Sequence, residues 1–417
     1  MTRKRLRWLA DFRAKSAPGP ITGDVTFLPM EAVGETGDYD RSSIRPAAEL
    51  GTGYSFFQRG DVVRAKVTPC FENGKGAFLK DLPTKYGFGS TELLAMQPGN
   101  ETDGRYLQYV LNSSEFVQGG EASLYGAHGV KRVAEDYFRN FRAWAPPLSS
   151  QQAIANYLDG VTARTASLIR KKERQVALVQ ERRLALAHAL ITGAAVPGER
   201  VPTGVGWLGS IPAAWRIARI GTCYEVQLGR MLNQERAAGA ETRPYIRNVN
   251  VRWDSFDLSD IAEMDFPLEA RQRYRLLPGD LLVNEGGAGI GRAAVWGGEI
   301  EEIYYQKSVH RVRETGHLPV RWLLEWLRLA VHSRVFDVEG NLATIPHVPA
   351  EALRAHALPV PPSAAIAATL LEELHDQAWR IKTTISALER QIDLLHERRQ
   401  AVITAAVTGQ IEIQGAA

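Results

Sequence analysis

The chain of 417 residues is poor in cysteine and contains no long apolar run. Its two cysteines, Cys70 and Cys223, have neither a metal-ligand spacing nor a disulfide framework, so both are predicted to be small buried residues in a reducing cytosol. No apolar stretch approaches the roughly 20 residues that cross a bilayer, and the basic N-terminus lacks the apolar core of a signal peptide. We therefore expect a cytoplasmic protein with no membrane partner.

A strong charge of either sign is also missing. The 50 Lys and Arg against 47 Asp and Glu leave a net charge of +3, which is close to neutral for this length. Charge alone does not argue for nucleic acid. A DNA-binding surface would have to come from local clusters, or be shared with a more basic partner.

Catalytic signatures are absent as well. The chain has no G-x-x-x-x-G-K-[ST] phosphate loop, no HExxH, no G-x-S-x-G and no Asn/Asp-Pro-Pro-Tyr/Phe string of amino-methyltransferases. The glycine-rich run at 286–291 lacks the following Lys-Ser/Thr and favours a bulge or tight hairpin over a nucleotide site. We predict no catalytic residue and no metal ligand in this chain, which suits a binding device.

What the chain does have is two copies of one long helical segment, at residues 151–193 and 366–409. Each ends in Glu-Arg-Arg, an apolar-rich run and Thr-Gly, and the two endings lie 216 residues apart. In the second copy apolar residues recur in alternating steps of three and four, a heptad seam that needs a partner helix. The two helices, each about 40 residues and roughly 60 Å long, are predicted to pack on each other as an antiparallel pair.

Arg183 and Arg399 occupy the same seam position in the two copies. Either their stems lie over the seam while the charged heads reach solvent, which we favour, or they make a polar contact that sets the register.

A β-rich unit precedes each long helix. In the first unit short β-type runs alternate with Gly and Pro, and residues 61–67 alternate as expected of a half-buried strand. Helical spacing follows at 106–116. The second unit repeats this plan: a Gly279-Asp280 turn matches Gly60-Asp61, residues 322–335 form the matching helix, and the loop at 340–347 matches the loop at 126–132. Residues 245–253 alternate sharply, as a strand would.

The predicted fold is therefore α+β: two β-rich domains separated by two long helices packed as an antiparallel coiled coil, with a pseudo-twofold internal repeat. The predicted limits are 1–148 for the first domain, 149–193 for the first helix, 194–206 for a Pro/Gly linker, 207–361 for the second domain, and 362–410 for the second helix and C-terminal tail.

The most distinctive strings of the chain are Gly60-Asp-Val-Val-Arg-Ala-Lys-Val-Thr-Pro-Cys-Phe-Glu-Asn-Gly-Lys75, Gly89-Ser-Thr-Glu92, Pro146-Pro-Leu-Ser-Ser-Gln-Gln152, Trp207-Leu-Gly-Ser-Ile-Pro-Ala-Ala-Trp215, Tyr245-Ile-Arg-Asn-Val249, Gly279-Asp-Leu-Leu282 and the two Glu-Arg-Arg…Thr-Gly helix ends. In these strings the chain resembles the specificity (S) subunit of type I restriction-modification systems. The resemblance runs nearly end to end, and the Pro-Pro-Leu and Pro-Cys-Phe strings are its strongest signals.

The resemblance implies a non-catalytic subunit with two target-recognition domains, each reading one half of an interrupted sequence in double-stranded DNA. Because the two domains differ strongly in loop sequence, we expect an asymmetric target. Two methyltransferase (M) subunits would dock on the helices, and restriction (R) subunits would join that core. No cofactor is implied in this chain; S-adenosylmethionine would be carried by the partner methyltransferase subunits. The helices would set the unread spacer.

Candidate DNA contacts follow from side-chain type, because Arg bridges guanine, Asn or Gln bridges adenine, and Lys suits phosphate. The first unit offers Lys66, Thr68, Asn73, Lys75, His128, Lys131 and Arg132; the second offers Arg230, Arg247, Asn248, Asn250, Arg252, Arg292, Lys307, Asn341 and Thr344. The sequence leaves two alternatives open: a coiled-coil scaffold whose β-rich domains bind protein instead of DNA, and a self-contained modification enzyme.

Overall fold

The computed structural model describes residues 2–50, 53–126, 131–232, 239, 241–316, 318–337 and 347–415. It divides the chain into two compact units, one formed by Met1–Arg174 with Leu388–Ala417, the other by Gln175–Ala387. This division falls inside the two long helices. The domain limits drawn from the sequence stay predictions.

The chain up to the end of the first long helix contains short strands and four α-helices within the described residues. The strands are β1 (Arg3–Arg5), β2 (Ala10–Phe12), β3 (Asp24–Leu28), β4 (Ile44–Pro46), β5 (Ser55–Gln58), β6 (Val62–Ala65), β7 (Gly76–Phe78), β8 (Tyr86–Gly89), β9 (Leu93–Pro98), β10 (Leu124–Tyr125), β11 (Arg132–Val133) and β12 (Arg142–Trp144). The helices are α1 (Gly104–Leu111), α2 (Ser114–Glu121), α3 (Glu135–Asn140) and α4 (Leu148–Ile191).

The rest of the chain repeats this plan. Its strands are β13 (Arg200–Pro202), β14 (Ser210–Pro212), β15 (Arg216–Arg219), β16 (Tyr224–Leu228), β17 (Thr242–Ile246), β18 (Val251–Arg252), β19 (Ser255–Phe256), β20 (Ala262–Asp265), β21 (Leu281–Asn284), β22 (Ala293–Val295), β23 (Tyr304–Tyr305), β24 (Val309–Glu314) and β25 (Ala357–Val360). Its helices are α5 (Ile220–Cys223), α6 (Leu268–Tyr274), α7 (Val320–His332), α8 (Ala350–Ala355) and α9 (Ala364–Val407).

One sheet of each unit corresponds strand by strand to a sheet of the other. A four-stranded antiparallel sheet has the order β2-β9-β6-β7 in the first unit and β16-β24-β21-β22 in the second. Each unit also contains a sheet with one parallel pair, β3 with β8 and β17 with β23. The strand that leads into each long helix pairs with an early strand, β12 with β1 and β25 with β15. The predicted internal repeat is confirmed.

We call β6 and β21 the central strands of their units. Both strands are buried on both faces, which corrects the half-buried strand predicted for residues 61–67. In β6, Val62 packs into the cluster with Leu107 of α1, whereas Val63 packs on the other face with Leu28 and Phe57. In the second unit the four residues of β21 are all buried too. The charged residues of 61–67 are predicted to face solvent, but helix α1 covers one face of the strand and the sheet β4-β3-β8-β5 covers the other.

The helix predicted at 106–116 is two helices. Asn112 ends α1, and the extended backbone of Ser113 starts α2, with the Ser113 hydroxyl accepting a hydrogen bond from the Phe116 amide at 3.3 Å. Short polar side chains favour such caps over helix interiors, so the apolar spacing continued across a break that it could not reveal.

Helices α4 and α9 have 44 residues each, about 66 Å at ~1.5 Å per residue. In the first unit the start of α4 shares a core with the end of α9, through Leu158 and Ile403. There the Lys172 ammonium also donates to the Gln391 amide oxygen at 2.5 Å. In the second unit the end of α4 shares a core with the start of α9, through Leu190 and Leu374. The helices are antiparallel as predicted, and the α+β fold class is confirmed.

Arg183 does not reach solvent, contrary to the interpretation favoured from the sequence. Its guanidinium donates to the Glu325 carboxylate of α7 at 2.5 Å, and the two side chains are 14% and 9% exposed. This polar contact joins α4 to α7 and not to α9, so the register-setting contact between the two long helices stays a prediction. Arg399 is half-buried, and burial lowers its pKa.

The Gly-Asp turn before each central strand is a folding device. In the second unit Gly279 has φ 95°, a value that favours glycine, and the Asp280 carboxylate accepts from the Leu277 amide at 2.8 Å. The same carboxylate pairs with the Arg313 guanidinium at 2.5 and 2.9 Å. The equivalent residues of the first unit are Gly60, Asp61, Gln58 and Arg13.

Replacing Asp280 by alanine should lower the free energy of unfolding of the second unit by about 3 kcal/mol, because the half-buried Arg313 guanidinium and the Leu277 amide lose a buried acceptor. Urea unfolding followed by tryptophan fluorescence measures this, since seven of the nine tryptophans lie in residues 175–387. The matched control is Glu351→Ala, whose ion pair with Arg354 is exposed at 83% and 42% and should contribute under about 0.5 kcal/mol. Equal losses in the two variants would contradict the prediction.

Candidate DNA interface

In each unit the backbone just after the central strand pairs with a later segment of the chain. We call this point the exit of the central strand; it lies at Val67 in the first unit and at Gly286 in the second. Val67 forms an isolated antiparallel bridge with Arg132, and Gly286 forms the same bridge with His347. The loops matched in the sequence, 126–132 and 340–347, therefore end on the same backbone feature. Three candidates on these loops, His128, Asn341 and Thr344, lie outside the described residues.

Lys66 and Thr68 stand at the exit in the first unit, and both side chains already have partners. The Lys66 residue is 8% exposed, and its ammonium lies 3.8 Å from the Glu135 carboxylate. The Thr68 hydroxyl accepts from the Lys131 amide at 3.1 Å and donates to the Lys131 carbonyl at 3.3 Å. The hydroxyl thus ties the exit to the next segment, while the Lys131 side chain itself is exposed.

The other first-unit candidates differ in availability. The Arg132 guanidinium forks onto the Glu92 carboxylate at 2.8 to 3.0 Å, and this hydrogen bonding raises the pKa of Arg132. Lys75 is half-buried and donates to the Met30 carbonyl at 3.2 Å. Asn73 is exposed on the loop between β6 and β7. Among the described candidates of this unit, Asn73 and Lys131 are exposed, whereas the Arg132 side chain, 40% exposed, is held on Glu92.

Residues 245–253 do not form the continuous strand that their alternation predicted. Strand β17 ends at Ile246, residues Asn248–Asn250 form a 3₁₀ turn, and β18 begins at Val251. The cause is the Asn250 side chain, whose oxygen accepts from the Arg247 amide at 3.0 Å. Such a local side-chain contact competes with sheet pairing.

Asn250 is a structural residue. It is 2% exposed, and its amide group donates to the Asp257 and Asp260 carbonyls at 2.9 Å each. Arg247 beside it is more accessible, with a side chain 26% exposed that pairs with the Asp260 carboxylate at 2.8 Å.

Arg230 and Arg252 have contrasting surroundings. The Arg230 side chain is 14% exposed, lies 3.9 Å from the Asp265 carboxylate, and has its guanidinium 5.7 Å from the centre of the Phe266 ring. Arg252 is 52% exposed and pairs loosely with Asp257 at 3.4 Å. Of the two, Arg252 is open to a ligand.

Asn248, Lys307 and Arg292 surround the exit of the second central strand. The backbone N–H of Asn248 donates to the Ser308 hydroxyl at 3.2 Å, which brings the 3₁₀ turn beside Lys307. The Lys307 side chain is exposed, whereas Asn248 and Arg292 are half-buried. The fold thus gathers amide and cationic groups from three loops at one edge.

Sequence reasoning missed three residues around these exits: Arg64, Asn284 and Ser308. Arg64 and Asn284 are each 1% exposed within central strands, and both hydrogen-bond to loop backbone. Each follows an apolar strand residue, Val63 or Val283, and no local signal showed which backbone groups they would meet. Ser308 has a weak signal, because Gln306-Lys307-Ser308 in the second unit matches Phe88-Gly89-Ser90 in the first.

No protein-family model matches the chain. Two curated proteins from Escherichia coli are similar over part of it: the EcoAI specificity subunit of a type I restriction enzyme, 35% identical over 133 residues, and the EcoEI specificity subunit, 34% identical over 134 residues. Each match covers 31% of this chain but only 23% and 22% of the respective relative. The match thus spans less than a quarter of the curated relatives.

Solved structures match over nearly the full length. One, from work on complex assembly and conformational transition of the type I R-M system, has a TM-score of 0.73 at 15% identity and covers 98% of each chain. The HsdS subunit from Thermoanaerobacter tengcongensis has a TM-score of 0.51 at 16% identity, over 98% of this chain and 97% of that one. The chain thus shares the fold of type I restriction-modification subunits, and the resemblance inferred from its motifs is confirmed.

Neither a metal centre nor a membrane span is found in the part of the chain that the structure describes. No three His, Cys, Asp or Glu side chains of these residues come together as metal ligands would. No helix among them is both long and apolar enough to cross a bilayer.

Asn250→Ala should lower the free energy of unfolding of the second unit by about 2 to 3 kcal/mol, because the Arg247 amide and the Asp257 and Asp260 carbonyls lose a buried partner. Lys307→Ala, at an exposed side chain in the same unit, should change that free energy by less than about 0.5 kcal/mol. Urea unfolding followed by tryptophan fluorescence measures both variants. An Asn250→Ala protein as stable as the parent would contradict the structural role assigned to Asn250.

Proposed function

We propose that this chain is the DNA sequence-recognition subunit of a type I restriction-modification complex. It would bind a bipartite, asymmetric duplex target and would itself be non-catalytic. The observation that carries the proposal is the repeat: two units share one sheet plan but present different side chains where the chain leaves the central strand. Such a pair of related domains suits two different half-sites in one target.

The side chains at the two exits fit this role. Exposed Asn73 and Lys131 in the first unit, and Asn248 with exposed Lys307 in the second, combine amide groups that can bridge adenine with cations that suit phosphate. Arg247 and Arg132 are held on carboxylates, so contact with a base would require exchange of that partner. These proposed DNA contacts form local clusters, so they do not require a strongly positive net charge on the whole chain.

The partners follow from the same proposal. Two methyltransferase subunits would dock on the long helices and carry the methyl donor S-adenosylmethionine, and restriction subunits would join them. This chain would contribute recognition alone. The complex would work in the cytoplasm, on the cell's double-stranded DNA.

A repeated surface on the long helices supports docking of two copies of one partner. Leu178 and Leu394 occupy the same position 216 residues apart, three residues before the Glu-Arg-Arg string of each helix. Their exposed fractions are 46% and 61%. An exposed leucine kept in both copies, beside positions that changed, favours a contact that is used twice.

Exchanging residues 1–150 for the corresponding segment of another type I system should change one half of the methylated motif and leave the other half intact. The measurement is genome-wide mapping of methylated bases in cells that carry the hybrid chain with its partner genes. The unexchanged chain is the control and should give one bipartite, asymmetric motif. If both halves changed, the modular proposal would be wrong; no methylated motif for the parent would reject the proposed function itself.

Leu178→Arg and Leu394→Arg should each remove one of two bound methyltransferase copies, and the double variant should remove both. Losing the burial of a leucine and adding a charge should weaken a contact by more than about tenfold, since each side chain contributes roughly 1.5–3 kcal/mol. Native mass spectrometry of the co-expressed complex counts the copies. Leu268→Arg, at a leucine 74% exposed outside the long helices, is the control and should keep both copies. Retention of both copies in the double variant would exclude this surface.

A further inference from the structure

We propose that Arg64 and Asn284 are positioning residues that set the conformation of the base-reading backbone, each for its own half-site; this rests on the proposed function. Both lie in the central strand of a unit, and both hydrogen-bond to the backbone of a loop that carries candidate DNA contacts. In the first unit this loop is residues 67–75, and in the second it is the turn at 247–251. Neither residue touches DNA in this proposal.

Arg64 binds both ends of the part of the 67–75 loop that carries Asn73. Its guanidinium donates to the Phe71 carbonyl at 2.9 Å and to the Gly74 carbonyl at 2.7 Å. It also donates to the side-chain oxygen of Asn112, and it lies 5.1 Å from the centre of the Phe71 ring. The planar fork of one arginine therefore fixes the backbone on either side of Asn73.

The surroundings of Arg64 are costly for a charged group. The residue is 1% exposed, and burial lowers its pKa to about 9. Among the described residues no carboxylate lies within ion-pair distance of it, and its buried Nε has no hydrogen-bond partner. An apolar residue would suit a strand that is buried on both faces, so stability alone does not explain an arginine here.

Asn284 holds the second loop in a similar way. It is 1% exposed at the end of β21, and its amide nitrogen donates to the Asn248 carbonyl at 3.0 Å and to the Val251 carbonyl at 3.4 Å. These carbonyls bracket the 3₁₀ turn that carries Asn248 and Asn250. The buried side-chain oxygen of Asn284 has no partner, which again is a cost in stability.

A shift of one residue explains why the two units hold different loops. Register places Ala65 opposite Leu93 in the first sheet and Asn284 opposite Val309 in the second, each at the start of the neighbouring strand. Asn284 thus corresponds to Ala65, and Arg64 stands one residue earlier. Successive side chains of a strand point to opposite faces, so Arg64 and Asn284 reach loops on opposite faces of equivalent sheets.

Arg64→Met and Asn284→Leu remove the hydrogen bonds and fill the same position in the strand with an apolar side chain. Each variant is produced as the full chain with its methyltransferase partners, and each selects from a DNA duplex library randomised one position at a time across the motif. We expect Arg64→Met to lower discrimination by about tenfold or more at one or more base pairs of the half-site assigned to residues 1–150. The other half-site should change by less than about twofold. Asn284→Leu should give the reverse pattern, so that each variant is the matched control for the other.

Asn112→Ala provides a second test, since it removes one partner of Arg64 from outside the strand and should relax the same half-site more weakly. It decides the matter if Arg64→Met fails to assemble. Unchanged discrimination at both half-sites in assembled variants would overturn the inference, and so would an equal loss at both half-sites in each variant. An unsubstituted complex that selects no sequence would instead reject the proposed function.

Discussion

The structure depends on one constraint: the central strands β6 and β21 have no face open to water. Val62 and Val63 contribute to separate apolar clusters, and Leu281 and Leu282 do the same in the second unit. Polar groups in or beside these strands therefore need partners within the fold, and the Arg64 Nε and the Asn284 side-chain oxygen, which have none, are costly in stability. That requirement accounts for the Asp280–Arg313 pair at the strand entrance and for the hydrogen bonds that tie the exit to a later segment.

The same constraint lets two equivalent sheets present different surfaces. The strand order, the Gly-Asp turn and the bridge at the exit are common to both units, so the exit edge is built in the same way. The buried polar residue differs in type and stands on the opposite face, which selects a different loop for support. Under the proposed function, recognition would then vary between the units without a change in the shared sheet.

The long helices obey a related rule on a different scale. A seam of apolar side chains needs cover, and antiparallel pairing supplies it in each unit through residues such as Leu158 with Ile403 and Leu190 with Leu374. The polar positions on that seam are absorbed by specific partners. Lys172 meets Gln391, and Arg183 meets a buried carboxylate of α7. Arg183 thereby joins a long helix to the β-rich part of its own unit.

Much of the frame could be predicted from sequence, because it follows from short-range patterns. Heptad spacing predicted α4 and α9, the repeated strings predicted two related β-rich units, and the Gly-Asp turns marked the central strands. The loop match also paired the segments that contain Arg132 and His347, which form equivalent bridges.

The exposure of the candidate site residues could not be predicted from sequence. Asn250 and Arg230 look like base readers in sequence, yet Asn250 holds a turn and Arg230 is largely buried. What decided this are contacts between residues far apart in the chain, such as Arg64 with Asn112 or Asn284 with Asn248. The sequence by itself determined the periodic elements, whose signals lie within a few residues of one another. Only the tertiary structure decided which polar side chains face solvent, because that depends on which distant backbone groups and carboxylates the fold brings within hydrogen-bond distance.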